Sequence, residues 1–178
     1  MFQNAWKREE INEGLIYSIL MFPSMLLIFY PAVFGIQNDE DSRILEILFG
    51  IPDYKYQILG VRLLMIYVAI FVILIIFSYI AILLLYPVNP LEMALQLMFP
   101  ILFFGNMAFM LSTITRSGNG TAVFMIIIGI ALMFLGKPDS FWNVLLNPFR
   151  VPDNVHPIIW EGILIKNRIF LLSASLVW

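Results

Sequence analysis

The chain predicts an all-α integral membrane protein, a polytopic helical bundle, on three observations. It is 61% hydrophobic and only 12% charged over 178 residues. A soluble domain of that size has too little interior to hide so much apolar surface. Its apolar sequence comes in uncharged runs, such as 14–36 and 63–91, each long enough to cross a bilayer as a helix. Those runs are separated by short polar or proline-marked breaks.

Five spans are expected in a single transmembrane domain covering 1–178. The first is 14–36, with Pro23 and Pro31 inside it. Proline is tolerated in membrane helices where neighbours satisfy the freed carbonyl. The second, 61–86, has no charge after Arg62. It would rise about 36 Å at 1.5 Å per residue, enough to span with tilt. Pro87, Asn89 and Pro90 then predict a tight turn. The third span is 91–114, with a kink expected at Pro100. The polar turn 115–120 leads into the fourth, 121–136, which is short and nearly pure apolar.

The stretch 136–168 is mixed, with Trp142, Asn147, Pro148, Pro152, Pro157 and Trp160. Its apolar patches 141–146 and 158–165 are too short to span. They read as an interfacial or re-entrant segment with tryptophans at headgroup depth. The fifth span starts at Ile169 and is incomplete at Trp178, where ten residues rise only about 15 Å. The natural protein is therefore expected to continue. No cleavable signal peptide is expected, because the first apolar run is too long for one.

Composition excludes several functions. The net charge of −2 speaks against a nucleic-acid partner. Cysteine is absent and His156 is the single histidine, which rules out thiolate chemistry and a bis-histidine haem. There is no G-x-x-x-x-G-K-[ST] pattern, since Gly136-Lys137 is followed by Pro138 and lacks the upstream glycine. HExxH and GxSxG are also missing. No acid or base sits mid-span to relay protons. An enzyme is not expected, and neither is a cofactor in this chain.

The charged wedge 38–62, between the first two spans, is the most informative stretch. It predicts an amphipathic helix at 39–50, with Asp39 or Asp41 at its N-cap. Ile44, Leu45, Leu48 and Phe49 form its apolar stripe, while Arg43 and Glu46 point elsewhere. Gly50 suits a left-handed C-cap and Pro52 blocks continuation. Asp53 then caps a second helix that runs into the next span. The bland alternative is a solvated connector. Within the spans, Asn106 is the most polar residue. It could line a substrate path or bond across a helix interface. Ser78 and Tyr79 read as packing residues, and Glu161, Lys166 and Arg168 as side chains that snorkel.

The wedge resembles the cytoplasmic coupling element of ABC-2 type transporter permeases. In that family an acid precedes a large–Glu–Leu–Leu helix, a small residue and proline, and a basic aromatic stretch ending in Gly-x-Lys/Arg. Here these are Glu40, Leu45-Glu46-Ile47-Leu48, Gly50-Ile51-Pro52 and Tyr54-Lys55-Tyr56 through Gly60-Val61-Arg62. Met110–Ser117 resembles the family's short cytoplasmic turn. Asn147-Pro148-Phe149, Trp160 and Asn167-Arg168-Ile169 resemble the block before its last span. The resemblance covers nearly the whole chain in order. The family usually has six spans and here the last five are visible, so either the first span is absent or this is a divergent five-span member. The resemblance also implies a multi-pass protein of a prokaryotic plasma membrane.

The resemblance also implies partners: an ATP-binding cassette subunit carrying the ATP and Mg, a second permease subunit, identical or not, and membrane lipids. Glu40, Asp41, Arg43, Ile44, Glu46, Leu48, Phe49, Gly50, Pro52 and Asp53 would form the docking surface. The implied function is export of a hydrophobic or amphipathic substrate driven by that partner. The alternative is a non-transporting membrane anchor or sensor subunit that docks a cytoplasmic protein. Positive charge alone leans the other way on orientation. The wedge face has four Lys/Arg (Arg43, Lys55, Arg62, Arg116) and the opposite face six (Lys7, Arg8, Lys137, Arg150, Lys166, Arg168).

Overall fold

The computed structural model describes residues 2–41, 54–135, 140–152 and 155–177, with the side chains of 2–12, 35–41, 54–59, 133 and 135 outside that description. Among the described residues the chain is all helical. The helices are α1 (Phe2–Asp41), α2 (Tyr54–Leu84), α3 (Pro90–Thr115), α4 (Gly118–Leu135) and α5 (Pro157–Val177). Three of the five contain a stretch long and apolar enough to cross a membrane: Glu13–Phe34, Gly60–Leu84 and Pro90–Thr115. The helix α4 has 18 residues, and α5 has three charged ones.

Local chemistry explains the element ends. The Asn89 side chain accepts from the Leu91 and Glu92 amides at 3.2 and 3.4 Å, and Pro90 follows at the first helical position. That is a standard helix start. At the far end Arg116 adopts a left-handed conformation (φ 50°), and its amide donates to the Ser112 carbonyl at 2.9 Å. Ser117 then caps α4, accepting from the Gly120 amide at 3.3 Å through its hydroxyl.

Helix periodicity separates the buried from the exposed side chains. On α2, Ile70, Leu74, Ser78 and Ala81 are buried, whereas Leu64, Val68, Val72 and Ile76 are exposed. Both stripes recur every three or four residues. On α1 the buried stripe includes Ile16, Leu20, Ser24, Ile28 and Ala32. Small residues in these stripes let helices approach closely, as membrane packing favours.

α3 is the centre of the bundle and touches each of the other four helices. Contacts give the directions. Gly105 of α3 meets Ile28 of α1, and Ser112 donates to the Val33 carbonyl at 2.9 Å, so α1 and α3 run the same way. α2 returns antiparallel, bringing Tyr67 to Asn106. α5 runs with α3, pairing Gln96 with Arg168 and Asn106 with Ser175. One end of the bundle therefore gathers Gly14, the 85–89 turn and the 140–152 loop. The Arg116–Ser117 turn lies at the other end, towards which α1 leaves past Val33.

Two expectations need correction. A separate helix was expected from Asp39. Instead α1 continues unbroken through Asp41, because neither proline nor glycine interrupts it after Gly35. Asp39, Glu40 and Asp41 thus lie within α1 as far as it is described. The rest of the expected coupling helix and its dock, 42–53, lies outside the described residues. The second correction concerns 158–165 and 169–178, read as separate pieces. They are one continuous helix, α5. The triplet Lys166-Asn167-Arg168 does not break it, because Asn167 and Arg168 turn into the protein.

Candidate functional site

The described polar side chains concentrate around α3 at two depths. Deeper along α3 lies Asn106. Its carbonyl accepts from the Tyr67 hydroxyl of α2, and its amide donates to the Ser175 carbonyl of α5 at 2.8 Å. One residue thereby ties three helices. Gly105 makes room beside it. A Cβ there would come within 2.7 Å of both Ile28 Cγ1 and the Tyr67 hydroxyl oxygen.

Nearer the start of α3 lies a larger network built on Arg168. Its Nε donates to Gln96 Oε1 at 2.9 Å and its Nη1 to Asn167 Oδ1 at 3.1 Å. The guanidinium carbon stands 5.0 Å from the centre of the Phe99 ring. The Tyr17 hydroxyl lies within interaction distance of the guanidinium, although neither it nor Nη2 closes a hydrogen bond of good geometry. Arg168 is 8% exposed and Tyr17 1%. Among the described residues, the groups against this cation, Gln96, Asn167, Phe99 and Tyr17, carry no full charge.

The network continues outward through backbone. The Asn167 amide donates to the Phe141 and Asn143 carbonyls at 2.8 and 2.9 Å. Those residues belong to a loop of asparagine-led turns, in which Asn143 accepts from the Leu145 amide and Asn147 from the Phe149 amide, both at 3.0 Å. Val144 and Leu146 anchor the loop by burial. Asn147 then donates to the Gly14 carbonyl at 2.7 Å and the Ser18 hydroxyl at 3.1 Å. The loop carbonyls of Phe141, Asn143 and Pro148 are satisfied from α5, and the Asn147 side chain fastens the loop to α1.

Two apolar hollows flank α3. One, of about 180 Å³, lies between α1, α3 and α4 and is lined by Met25, Ile28, Phe104, Gly105, Met125 and Gly129. A dry engineered cavity of about 150 Å³ binds benzene-sized guests. The other is a groove of about 610 Å³ between α2 and α3, with Gln96 and Phe99 on its floor.

Of the residues singled out from the sequence, Asn106 is fully placed, as a helix-interface residue. Glu40 and Asp41 end α1, and their side chains are outside the description. Arg43, Ile44, Glu46, Leu48, Phe49, Gly50, Pro52 and Asp53 lie outside the described residues. Arg168 differs from expectation: Glu161 and Lys166 are exposed, but Arg168 does not snorkel. Ser78 is fully buried, whereas its neighbour Tyr79 faces outward. Trp160 is buried too, its indole nitrogen donating to the Pro148 carbonyl at 3.4 Å. Gln96 and Tyr17 were not anticipated. The one signal for Gln96 was an uncharged amide in an apolar run. No family model, curated protein or solved structure matches the chain.

Proposed function

We propose that the chain is the membrane-spanning permease subunit of an ABC-2 type exporter, with five spans formed by α1 to α5. One observation carries most of this reading. Two helices long enough to span flank a short charged connection, 42–53, whose residues follow the family's coupling pattern. In such a subunit the connection docks on an ATP-hydrolysing partner in the cytoplasm, and nucleotide-driven closure is relayed to the helices. Charges at that contact set register and specificity more than affinity. The apolar hollows beside α3 suit a hydrophobic or amphipathic cargo.

The test is purification of the chain in mild detergent, with co-purifying proteins identified and assayed for ATP hydrolysis. The expected result is a P-loop ATPase that is lost on Glu46→Arg. Combining Glu46→Arg with Gly50→Pro should uncouple transport from hydrolysis while leaving membrane insertion intact. A partner without ATPase activity would move the reading to a membrane anchor or sensor.

A further inference from the structure

The buried Arg168 cation is chemically incomplete. Two of its nitrogens donate to neutral amide oxygens, of Gln96 and Asn167. Among the described residues the third closes no well-formed hydrogen bond, with only the Tyr17 hydroxyl beside the guanidinium. The facing Tyr17 hydroxyl is also unpaired and almost wholly buried. A guanidinium inside a bundle that faces hydrocarbon is costly unless neutralised, and such residues mark sites of function. What would complete it is an anion with several acceptor oxygens, for which arginine's forked donors are suited.

A route to it exists. Gln96, which accepts from Arg168, also lines the groove between α2 and α3. So does Phe99, whose ring lies against the guanidinium. The rest of the groove is aliphatic and aromatic, and Leu64 and Val68 on its α2 wall are exposed to the surrounding medium. Its size, about 610 Å³, falls within the usual range for small-molecule sites. The wall of a largely apolar groove thus carries both the neutral amide that accepts from the cation and the ring beside it.

We propose that this groove seats an acyl chain of an anionic phospholipid, whose phosphate joins or displaces Gln96 as the acceptor for Arg168. Gln96 holds the cation while the site is empty and admits an anion at little steric cost. The Tyr17 hydroxyl stands ready to donate to the same anion once the guanidinium shifts. This site does not depend on the transporter reading, since an anchor or sensor subunit could use it equally.

Native mass spectrometry of the full chain in detergent tests the site, with phosphatidylglycerol offered against diacylglycerol of the same chains. Retention of phosphatidylglycerol at least about tenfold tighter is expected, as a charged hydrogen bond contributes. Arg168→Gln should abolish that preference, and Arg168→Lys should keep most of it. Leu102→Trp, which fills the groove without touching the cation, should lower retention of both lipids. Equal retention of the two lipids by the natural chain would overturn the site. So would an undiminished preference in Arg168→Gln or unchanged retention in Leu102→Trp. If Arg168→Gln does not fold, the lysine and tryptophan variants decide alone.

Discussion

The neighbours α2 and α3 are opposite in kind. From Leu63 to Leu84, α2 has no charge, and its polar groups are few, yet only 22% of its spanning stretch is buried. α3 carries Glu92, Gln96, Asn106, Ser112 and Thr113, and 50% of its most apolar 18-residue stretch is buried. In water the more apolar helix would take the centre. In hydrocarbon an apolar side chain gains little from exchanging lipid for protein. A polar one gains partners. The helix with the most hydrogen bonds to share therefore takes the middle, and the purest apolar helix becomes part of the outer wall.

Substitutions can break that contrast. The largest effect is expected for Val72→Lys, on the exposed stripe of α2. If that stripe faces lipid, membrane insertion should weaken by about 3 kcal/mol, read in a glycosylation-based insertion assay. Unimpaired insertion would mean that water or protein covers it. Next, Gly105→Ala should destabilise the detergent-solubilised chain by about 2 kcal/mol, because Ile28 and Tyr67 must both yield to the new methyl group. A thermal melt measures this. Asn106→Leu should cost about 1 kcal/mol in the same melt, the usual worth of an interhelical hydrogen bond in membranes. The smallest effect belongs to Val72→Ala, expected below about 0.5 kcal/mol because this side chain is half exposed. Equal losses for Asn106→Leu and Val72→Ala would remove the distinction between centre and wall.

The same contrast explains how much was legible in the sequence. α1, α2 and α3 could be read because length and lack of charge suffice for a span. The 85–89 turn could be read because Asn89-Pro90 has one clear structural use. Asn106 stood out as a polar residue among apolar ones. α5 was divided because Lys166 and Arg168 interrupt its apolar pattern, and only tertiary contact shows that Arg168 has somewhere to go. Gln96 and Tyr17 became notable only once α5 placed a cation between them. The extension of α1 through Asp41 was hidden because acidic residues after an apolar run favour a new helix start, and nothing local shows that the preceding helix runs on through them.

The continuity of α1 has a mechanical consequence. Forty residues in one helix make a rod about 60 Å long, roughly twice the hydrocarbon thickness of a bilayer. Pivoting it by about 10° around its middle displaces each tip by about 5 Å, close to one helical turn. α3 grips it past its midpoint through Ile28 and Val33, and Asn147 holds the other side at Gly14. Pro23 and Pro31 interrupt its internal hydrogen bonding between those holds. A push delivered at the Asp41 end would reach the asparagine-rich loop as a swing rather than a stretch, and the two prolines are where that swing would bend.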